Sequence, residues 1–361
     1  MVICQIITSL VYGGAEKLLV NFINELIKNE NEIHVIYLKG DPKLMESFNS
    51  RVNLYHVPLG FSCASQLSDL VKSLKADVIH THLGHADLIG IWATRKIVAK
   101  RFCTMHNVYF RWNWQDKIFF FLYYLTFKYW GKDVKISCIS NAVARHVNHT
   151  LRVPLTRIRV DPNCIPMLNI EISKENARRQ LGLQRNTFCV LTIGRMRVQK
   201  SMETLILAVR HLINDIPNLR VLIVGEGEKY DSLKQLVHTW NLNKYISFEG
   251  VTNNPELFLA ASDVFALTSV FEGLPTVILE AFRSSLPVVA SKIDGISELI
   301  KDGENGLLFE VKNDKELAKK LQTLYESPEL RNEIGLNGQS TFVSNYSIDK
   351  YTDRMRSLYM S

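Results

Sequence analysis

Two glutamates, eight residues apart, carry the strongest chemical signal in this chain. Glu272 lies in a glycine-flanked loop, and Glu280 lies among apolar residues of a helix in which Pro275 is predicted to be the first residue. A carboxylate in such surroundings is seldom buried without a polar partner. The preceding run, 264–267, is typical of a parallel strand, so both carboxylates are predicted at the carboxyl edge of an α/β sheet. There they could accept hydrogen bonds from ribose or hexose hydroxyls; two solvated glutamates are the structural alternative.

Two cationic residues, Arg195 and Lys200, are predicted at a similar sheet edge earlier in the chain. Arg195 follows the strand predicted over 187–193, and Lys200 precedes the helix predicted over Met202–Leu212. Positive charge at the start of a helix is unfavourable unless an anion lies nearby. Arginine binds phosphate in a bidentate manner and lysine adds a compact charge, so the pair indicates a diphosphate site. A solvated loop is the alternative.

Glycines after the first predicted strand allow a test for dinucleotide binding. The Gly-x-Gly-x-x-Gly fingerprint is absent there, and Gly225 and Gly227 lack a third glycine, which argues against a nicotinamide enzyme. Gly13 and Gly14 open a helix predicted over 15–28. They are consistent with a loop that lets a phosphate approach the helix start, or with an ordinary tight turn.

The elements that must position these residues alternate between strand and helix, which is typical of parallel βαβ units. The length of 361 residues favours two domains, with a boundary near 162–166, where turn formers interrupt the periodicity. Both halves are long enough for a Rossmann-like domain. The predicted strands are 2–8, 32–38, 53–56, 77–80, 101–105, 135–139 and 157–160, then 187–193, 220–224, 246–248, 263–267 and 287–290. A final helix is predicted over 347–359.

Cysteine usage and the first residues indicate the compartment. The six cysteines are dispersed without a Cys-x-x-Cys pair, and several fall in predicted strands, which favours buried free thiols in a reducing compartment. The start of the chain has no basic region before its apolar run and is predicted to be a strand rather than a signal peptide. We therefore expect a cytoplasmic protein.

The formal charge of +7 is concentrated in one aromatic segment. Between Arg95 and Lys135 there are nine lysines and arginines against two aspartates. The same segment contains twelve aromatic residues between Tyr109 and Trp130, which indicates docking on an anionic membrane surface. An aromatic core helix under a basic face is the alternative. Because no reading motif accompanies the charge, nucleic acid is not expected as a partner.

Together these motifs resemble the retaining glycosyltransferases of family 4, which have the GT-B fold, an α/β architecture of two Rossmann-like domains with parallel sheets that face each other across a cleft. The resemblance follows nearly the whole chain in order. It implies an N-terminal acceptor domain at 1–165, a nucleotide-sugar donor domain at 166–341, and a C-terminal helix, 342–361, that packs back on the first domain. Two departures from the family pattern are Cys164 with Pro166, in place of a glycine and an acid, and Ser201 after the lysine.

The resemblance implies roles for individual residues. The catalytic set would be His106, Arg195, Lys200 and Glu272, with His106 facing the donor sugar. Arg195 and Lys200 would hold the diphosphate, Glu272 the transferred sugar and Glu280 the ribose. The donor site would also include Gly13, Gly14, Gly250, Val251, Thr252, Gly273 and Leu274. On the acceptor side the residues would be Glu16 and His82.

His80, His82 and His85 could form a metal cluster. No carboxylate pattern completes such a site, and the chain has no Asp-x-Asp to bridge a metal to a diphosphate. We therefore expect a reaction without metal or other cofactor.

These observations favour a glycosyltransferase that moves a sugar from a nucleotide diphosphate sugar, with UDP-sugar favoured, to a lipid-linked or polysaccharide acceptor in surface glycan synthesis. We expect it at the inner face of the cell membrane, as a peripheral protein. The alternatives are a GT-B sugar-nucleotide epimerase, which needs no acceptor, and a non-catalytic nucleotide-sugar-binding partner of a polysaccharide assembly complex.

Overall fold

The computed structural model describes residues 1–11, 13–29, 31–106, 114–168 and 172–360, without the side chains of 114–116. The chain divides into two compact units. Unit 1 is Met1–Pro166 with Ile348–Ser361, and unit 2 is Met167–Ser347.

Unit 1 is built on a parallel sheet of seven strands in the order β3-β2-β1-β4-β5-β6-β7. The strands are β1 (Val2–Ser9), β2 (Glu32–Lys39), β3 (Asn53–His56), β4 (Val78–His82), β5 (Lys100–Met105), β6 (Lys135–Cys138) and β7 (Ile158–Val160). The helices are α1 (Gly14–Leu26), α2 (Cys63–Ser73), α3 (Gly84–Ala93), α4 (Trp114–Leu125), α5 (Asn141–Leu151) and the C-terminal helix (Ile348–Met360). A π-helical segment, Thr126–Trp130, continues α4.

The two faces of this sheet are covered by different helices. On one face, α2 and α3 pack against Cys4, Ile6 and Ile36. The C-terminal helix packs beside α1, where the Phe22 and Tyr351 rings meet edge to face with centroids 5.3 Å apart. Coverage of both faces explains why the central strands are continuous apolar runs rather than alternating ones.

Unit 2 repeats this plan with a six-stranded parallel sheet in the order β10-β9-β8-β11-β12-β13. Its strands are β8 (Phe188–Ile193), β9 (Leu219–Val224), β10 (Ile246–Gly250), β11 (Val264–Leu267), β12 (Val288–Ser291) and β13 (Leu307–Phe309). Its helices are α6 (Lys174–Gln180), α7 (Met202–Leu212), α8 (Tyr230–Thr239), α9 (Pro255–Ala261), α10 (Thr276–Arg283), α11 (Asp294–Ser297), α12 (Asp314–Glu326) and α13 (Pro328–Asn345).

Each sheet has one point at which the strand order changes direction. In unit 1 it lies between β1 and β4, and in unit 2 it lies between β8 and β11. The loops that leave the carboxyl ends of such a strand pair diverge and leave a crevice between them, which is where open α/β sheets bind ligands. The loops after β1, β4, β8 and β11 are therefore the places to look for chemistry.

The predicted alternation of strands and helices is confirmed, with three differences in detail. The short strand β13 was missed because Leu307–Phe309 is three residues long and has no pattern of its own. Strand β4 was predicted to end at His80 but continues to His82. The C-terminal helix begins at Ile348, so 342–345 belong to α13.

All six cysteines are buried free thiols, as the sequence predicted. Burial raises the pKa of the Cys4 and Cys138 thiols to about 12, so they remain protonated.

Candidate active-site residues

The two loops that flank the switch point of unit 2 are tied to each other. The backbone N–H of Val270 donates to the carbonyl of Gln199 (2.9 Å), and the Gln199 amide returns a bond to the carbonyl of Phe271 (2.9 Å). The Thr268 hydroxyl donates to the carbonyl of Lys200 (2.8 Å). These bonds fix the loop after β8 against the loop after β11, so that charged side chains on the two loops have a defined spacing.

Lys200 and Glu272 form an ion pair across these loops. Lys200 Nζ lies 2.6 Å from Glu272 Oε1, and the side chains are only 17% and 10% exposed. The Ser269 hydroxyl donates to the same oxygen at 2.7 Å. Both bonds fall on Oε1, which leaves Oε2 as the oxygen on which Glu272 can receive a ligand hydroxyl. The sequence placed both residues in the site but did not predict that they would pair.

Arg195 differs from Lys200 in its surroundings. It is exposed in the loop immediately after β8. Within the part of the chain that the structure describes, its guanidinium makes no hydrogen bond or ion pair. All of its donors are therefore available to an anion at the switch point, whereas Lys200 would have to share its charge with Glu272.

The loop that carries Glu272 is held by close backbone contact. A Cβ atom at Gly295 would lie 2.3 Å from the carbonyl oxygen of Glu272, so no other residue fits there. Gly273 and Leu274 are buried within this loop. Helix α10 then begins at Thr276, one residue later than predicted, and Pro275 is its N-cap.

Glu280 lies on the second turn of α10 and is half-buried. The neighbouring helical residues Ile278 and Leu279 are fully buried. Glu280 therefore lies inside a helix among apolar neighbours, as predicted. Its role toward a ribose stays a prediction.

The predicted base-binding residues lie at the end of β10 and in the loop after it, at the carboxyl edge of the same sheet. The carbonyl of Gly250 accepts a hydrogen bond from the N–H of Gly225 (2.7 Å), which joins the loop after β9 to the end of β10. Val251 is 68% exposed. Thr252 uses its hydroxyl oxygen to accept the N–H of Asn254 (3.0 Å). The position agrees with a base-binding role, which stays a prediction.

In unit 1 the glycine loop after β1 lies against a carboxylate. Gly13 is the N-cap of α1, and a Cβ atom there would lie 2.3 Å from Glu16 Oε2. Glu16 is buried in the first turn of α1, where a negative charge is favourable, and its Oε1 accepts a 3.4 Å hydrogen bond from Ser9. A phosphate at Gly13 and Gly14 would therefore compete with Glu16. The phosphate role of the two glycines and the acceptor role of Glu16 stay predictions.

A chain of hydrogen bonds crosses one face of the unit 1 sheet. Parallel pairing aligns Gln5 with His80 and His82 with Thr104, and alternate residues of a strand share a face, so all four side chains stand on the same side. His106 Nε2 lies 3.3 Å from His82 Nδ1, and His82 Nε2 lies 2.7 Å from Gln5 Oε1. Because both ring nitrogens of His82 are engaged and its side chain is buried, a direct acceptor contact would require it to give up a bond.

The C-terminal helix completes this chain. The Tyr359 hydroxyl accepts a hydrogen bond from Gln5 Nε2 (2.9 Å) and lies 2.7 Å from His80 Nδ1. His80 Nε2 lies 2.8 Å from Thr104 Oγ1. We call these six residues the histidine chain: His106, His82, Gln5, Tyr359, His80 and Thr104. Gln5, Tyr359 and Thr104 were missed from the sequence, because only the register and the position of the last helix bring them together.

The histidine chain is electrically neutral at pH 7. Burial lowers the pKa of His80 to about 3 and that of His106 to about 4. The pKa of His82 falls well below its ordinary value because of burial and the two neighbouring histidines. Among the residues that the structure describes, no three His, Cys, Asp or Glu side chains are placed to hold a metal ion.

The basic aromatic segment divides into a buried and an exposed side. Phe120, Tyr123 and Phe127 are buried, as the core alternative predicted. Ile118, Phe121, Leu122, Tyr129 and Trp130 are exposed. Tyr109, Phe110 and Trp112, which the membrane prediction also used, lie outside the described residues, as does the side chain of Trp114.

Comparisons with known proteins agree with this geometry. A family model described as Glycosyltransferase Family 4 matches residues 12–167, and one described as Glycosyl transferases group 1 matches residues 173–341. The chain is 29% identical over 360 residues to the UDP-Gal:alpha-D-GlcNAc-diphosphoundecaprenol alpha-1,3-galactosyltransferase of Escherichia coli, covering 93% of this chain and 91% of that one.

A second relative matches a shorter stretch at higher identity. It is the N-acetylgalactosamine-N,N'-diacetylbacillosaminyl-diphospho-undecaprenol 4-alpha-N-acetylgalactosaminyltransferase of Campylobacter jejuni, 36% identical over 143 residues, which are 39% of this chain and 38% of that one. Among solved structures, that of Anabaena Alr3699/HepE in complex with UDP superposes with a TM-score of 0.88 at 20% identity, covering 99% of both chains.

Two parallel α/β units with charged switch-point loops define a GT-B glycosyltransferase. The chain belongs to the glycosyltransferases, because the Family 4 model matches residues 12–167 and the group 1 model matches residues 173–341. The resemblance drawn from the motifs is confirmed. No described helix is both long enough and apolar enough to cross a membrane.

Proposed function

We propose that this glycosyltransferase transfers a sugar from a UDP-sugar to a lipid-linked diphosphate sugar in surface glycan synthesis, with retention of anomeric configuration. The observation that carries the proposal is the arrangement at the switch point of unit 2, where Arg195 has no hydrogen-bond or ion-pair partner among the described residues and Lys200 is held by Glu272 at 2.6 Å. Anionic and hydroxyl-bearing ligands both find partners there.

The charges suit the hard part of the reaction, which is departure of the diphosphate. Negative charge on the leaving group grows in the transition state, so fixed cations stabilise that state more than the bound substrate and lower the barrier. In this proposal Arg195 binds the diphosphate by two N–H groups and Lys200 adds a second charge. Glu272 restrains Lys200 through Oε1 and accepts a sugar hydroxyl on Oε2.

The choice of donor and acceptor is supported by the relatives. The name of the E. coli enzyme contains UDP-Gal, and both named relatives act on diphosphoundecaprenol-linked sugars. HepE was crystallised with UDP. The epimerase and the non-catalytic partner are not favoured by these names. Retention follows from the family resemblance, and the anomeric proton coupling of an NMR spectrum of the product would test it.

We infer that no divalent ion is needed, because Arg195 and Lys200 supply the positive charge that a metal supplies elsewhere. Transfer should therefore persist in excess EDTA. Loss of transfer that magnesium or manganese restores would contradict this part of the proposal.

The described surface of unit 1 supports docking on a membrane. A groove of about 230 Å³ is lined by Lys128, Lys132, Arg152 and Arg157, and by no acid among its described lining residues. The nearby Asp133 is already paired with Arg101. These cations stand beside the exposed apolar face of α4, which is the combination that binds anionic headgroups and the acyl boundary together.

The groove lies at the amino end of the sheet, because Lys132 precedes β6 and Arg152 precedes β7. The histidine chain reaches the opposite, carboxyl edge. A bilayer phospholipid headgroup therefore suits the groove better than a reacting sugar does. We accordingly propose a peripheral protein at the cytoplasmic face of the membrane, where buried free thiols remain reduced.

The membrane proposal is testable by sedimentation with vesicles. Binding to phosphatidylglycerol-containing vesicles should fall about 10-fold or more when Lys128 and Lys132 are changed to Gln, since each lysine near the surface contributes about 1 kcal/mol. Lys315 and Lys319 of α12, both exposed, are the matched control pair. Equal binding of the two double variants, or binding to neutral vesicles that salt does not weaken, would refute the assignment.

The transfer itself is tested by acceptor-dependent release of UDP from a panel of UDP-sugars, with a polyprenyl-diphosphate sugar as acceptor. UDP should appear only when both substrates are present. Release without acceptor would favour the epimerase or a hydrolase, and the absence of release from all donors would favour a binding protein. Thermal shifts with UDP, ADP and GDP would check the base independently.

A further inference from the structure

In the histidine chain, the donor and acceptor roles of one side chain determine those of the next. A neutral imidazole has one donor and one acceptor nitrogen, and a glutamine amide has a donor end and an acceptor end. Once one proton in such a chain is placed, the others follow. All three imidazoles are neutral, since burial lowers their pKa values.

The orientation of Gln5 sets that direction. Its Oε1 faces His82 Nε2 at 2.7 Å, so His82 carries its proton on Nε2 and has a lone pair on Nδ1. That lone pair, 3.3 Å from His106 Nε2, accepts a hydrogen bond from it. His106 is then protonated on Nε2 and has a lone pair on Nδ1.

On the other side of Gln5 the same direction continues. The Gln5 amide donates to the Tyr359 hydroxyl, which therefore gives its own proton to His80 Nδ1. His80 is protonated on Nε2 and donates to Thr104 Oγ1. No described member of the chain is left with two donors or two acceptors in contact, so the assignment is self-consistent.

The alternative is a reversed chain, in which the Gln5 amide is turned by 180° and its donor and acceptor ends are exchanged. The reversed chain would place a proton on His106 Nδ1. That atom is buried and has no partner among the described residues. An unpaired buried N–H is rarer and more costly than an unpaired acceptor, so the direction with Nδ1 as acceptor is favoured.

We propose that Tyr359 and Gln5 are positioning residues which hold His106 as the Nε2–H tautomer, so that His106 Nδ1 accepts a hydrogen bond from a substrate hydroxyl. This inference rests on the proposed function for its substrate but not for its tautomer. In this proposal the C-terminal helix contributes to the site, because Tyr359 is a residue of that helix. Lys100 Nζ fixes the end of the helix by donating a hydrogen bond to the carbonyl of Tyr359 (3.1 Å).

The direct test is the ¹⁵N spectrum of the histidine rings at pH 7, with His106 assigned from the spectrum of His106→Gln. In the unchanged protein we expect His106 Nδ1 to show a pyridine-like shift and Nε2 a pyrrole-like shift. In Tyr359→Phe, Gln5 loses the partner that fixes its orientation, and the two shifts should move toward each other. Gln5→Met should have the same effect.

Measurement of kcat provides a second test. Tyr359→Phe should lower kcat by about 3- to 10-fold, the value of one neutral hydrogen bond, with unchanged UDP affinity. The double variant with Gln5→Met should lose no more than the larger single loss, because both act on one chain. Thr352→Val, on the same helix and also fully buried, removes a hydroxyl that donates to the carbonyl of Ile348 and not to the chain, so it should leave the His106 shifts in place.

A pyrrole-like Nδ1 on His106 in the unchanged protein, or shifts that Tyr359→Phe leaves in place, would overturn the inference. These spectra do not depend on catalysis. Failure of the proposed transfer would appear instead as an absence of acceptor-dependent UDP release, with the tautomer as assigned.

Discussion

The switch-point loops of unit 2 hold charges close to solvent, whereas the histidine chain of unit 1 holds neutral side chains away from it. Lys200 and Glu272 remain partly exposed, and Arg195 is exposed. His80 and His82 are 0% and 2% exposed, and burial keeps them uncharged. The same kind of sheet edge therefore provides two different environments.

The difference follows from what each environment has to recognise. A diphosphate changes its charge during the reaction, so a site for it gains from cations that are already in place. A hydroxyl carries no net charge, and it is distinguished by the direction of a hydrogen bond. Buried neutral groups fix that direction at lower cost than buried ions, which lose their hydration. Substitutions in the two regions should therefore have effects that differ in kind as well as in size.

The largest effect is expected at Arg195. Arg195→Ala should lower kcat by about two to three orders of magnitude, as loss of another preorganised charge stabiliser does. Steady-state kinetics with a saturating donor would measure it. Arg197→Ala is the matched control, since Arg197 is also an exposed arginine of the same loop. Similar losses in both variants would show that the loop, rather than the Arg195 charge, is responsible.

The pH dependence of stability should reveal the neutral chain. In the folded protein the three histidines stay unprotonated down to pH values far below 6.5, whereas in the unfolded chain they take up protons near pH 6.5. Their contribution is thus complete above pH 6.5 and is lost as the pH falls. Burial raises the pKa of Asp87 to about 6, so Asp87 takes up a proton in the folded state and offsets one of the three.

The net expectation is a fall in unfolding free energy of about 2–3 kcal/mol per pH unit between pH 6 and pH 5. Urea unfolding at the two pH values would measure it. His80→Gln should reduce the slope by about 1.4 kcal/mol per pH unit, the value of one proton. His238→Gln, which changes an exposed histidine, should leave the slope in place. A slope that His80→Gln does not alter would contradict the neutral assignment.

Glu280 should affect binding more than chemistry. The ribose does not change during transfer, so Glu280→Gln should weaken UDP binding by about 1–3 kcal/mol and leave kcat largely intact. Calorimetry with UDP and kinetics at saturating donor separate the two effects. If UDP affinity is kept while turnover is abolished, Glu280 belongs to the reacting centre and not to the ribose.

Much of the fold could be predicted from sequence because parallel strands covered on both faces are apolar runs between helical patterns. The charged motifs were also accessible, since Arg195, Lys200, Glu272 and Glu280 follow strands at a sheet edge. The Lys200–Glu272 ion pair could not be predicted, because 72 residues separate its members and only the adjacency of β8 and β11 in the sheet makes them neighbours. Tyr359 was missed for the same reason, since 354 residues separate it from Gln5.

The central claim, that charge in unit 2 binds the nucleotide while unit 1 contributes neutral hydrogen bonds, is tested most directly by calorimetric titration of UDP into two variants. Lys200→Met should lower UDP affinity by about 10- to 100-fold, as expected for a lost charge-assisted bond to phosphate. His106→Gln should bind UDP as the unchanged protein does. If His106→Gln weakens UDP binding as much as Lys200→Met, or if Lys200→Met has no effect, the division between the two regions is contradicted.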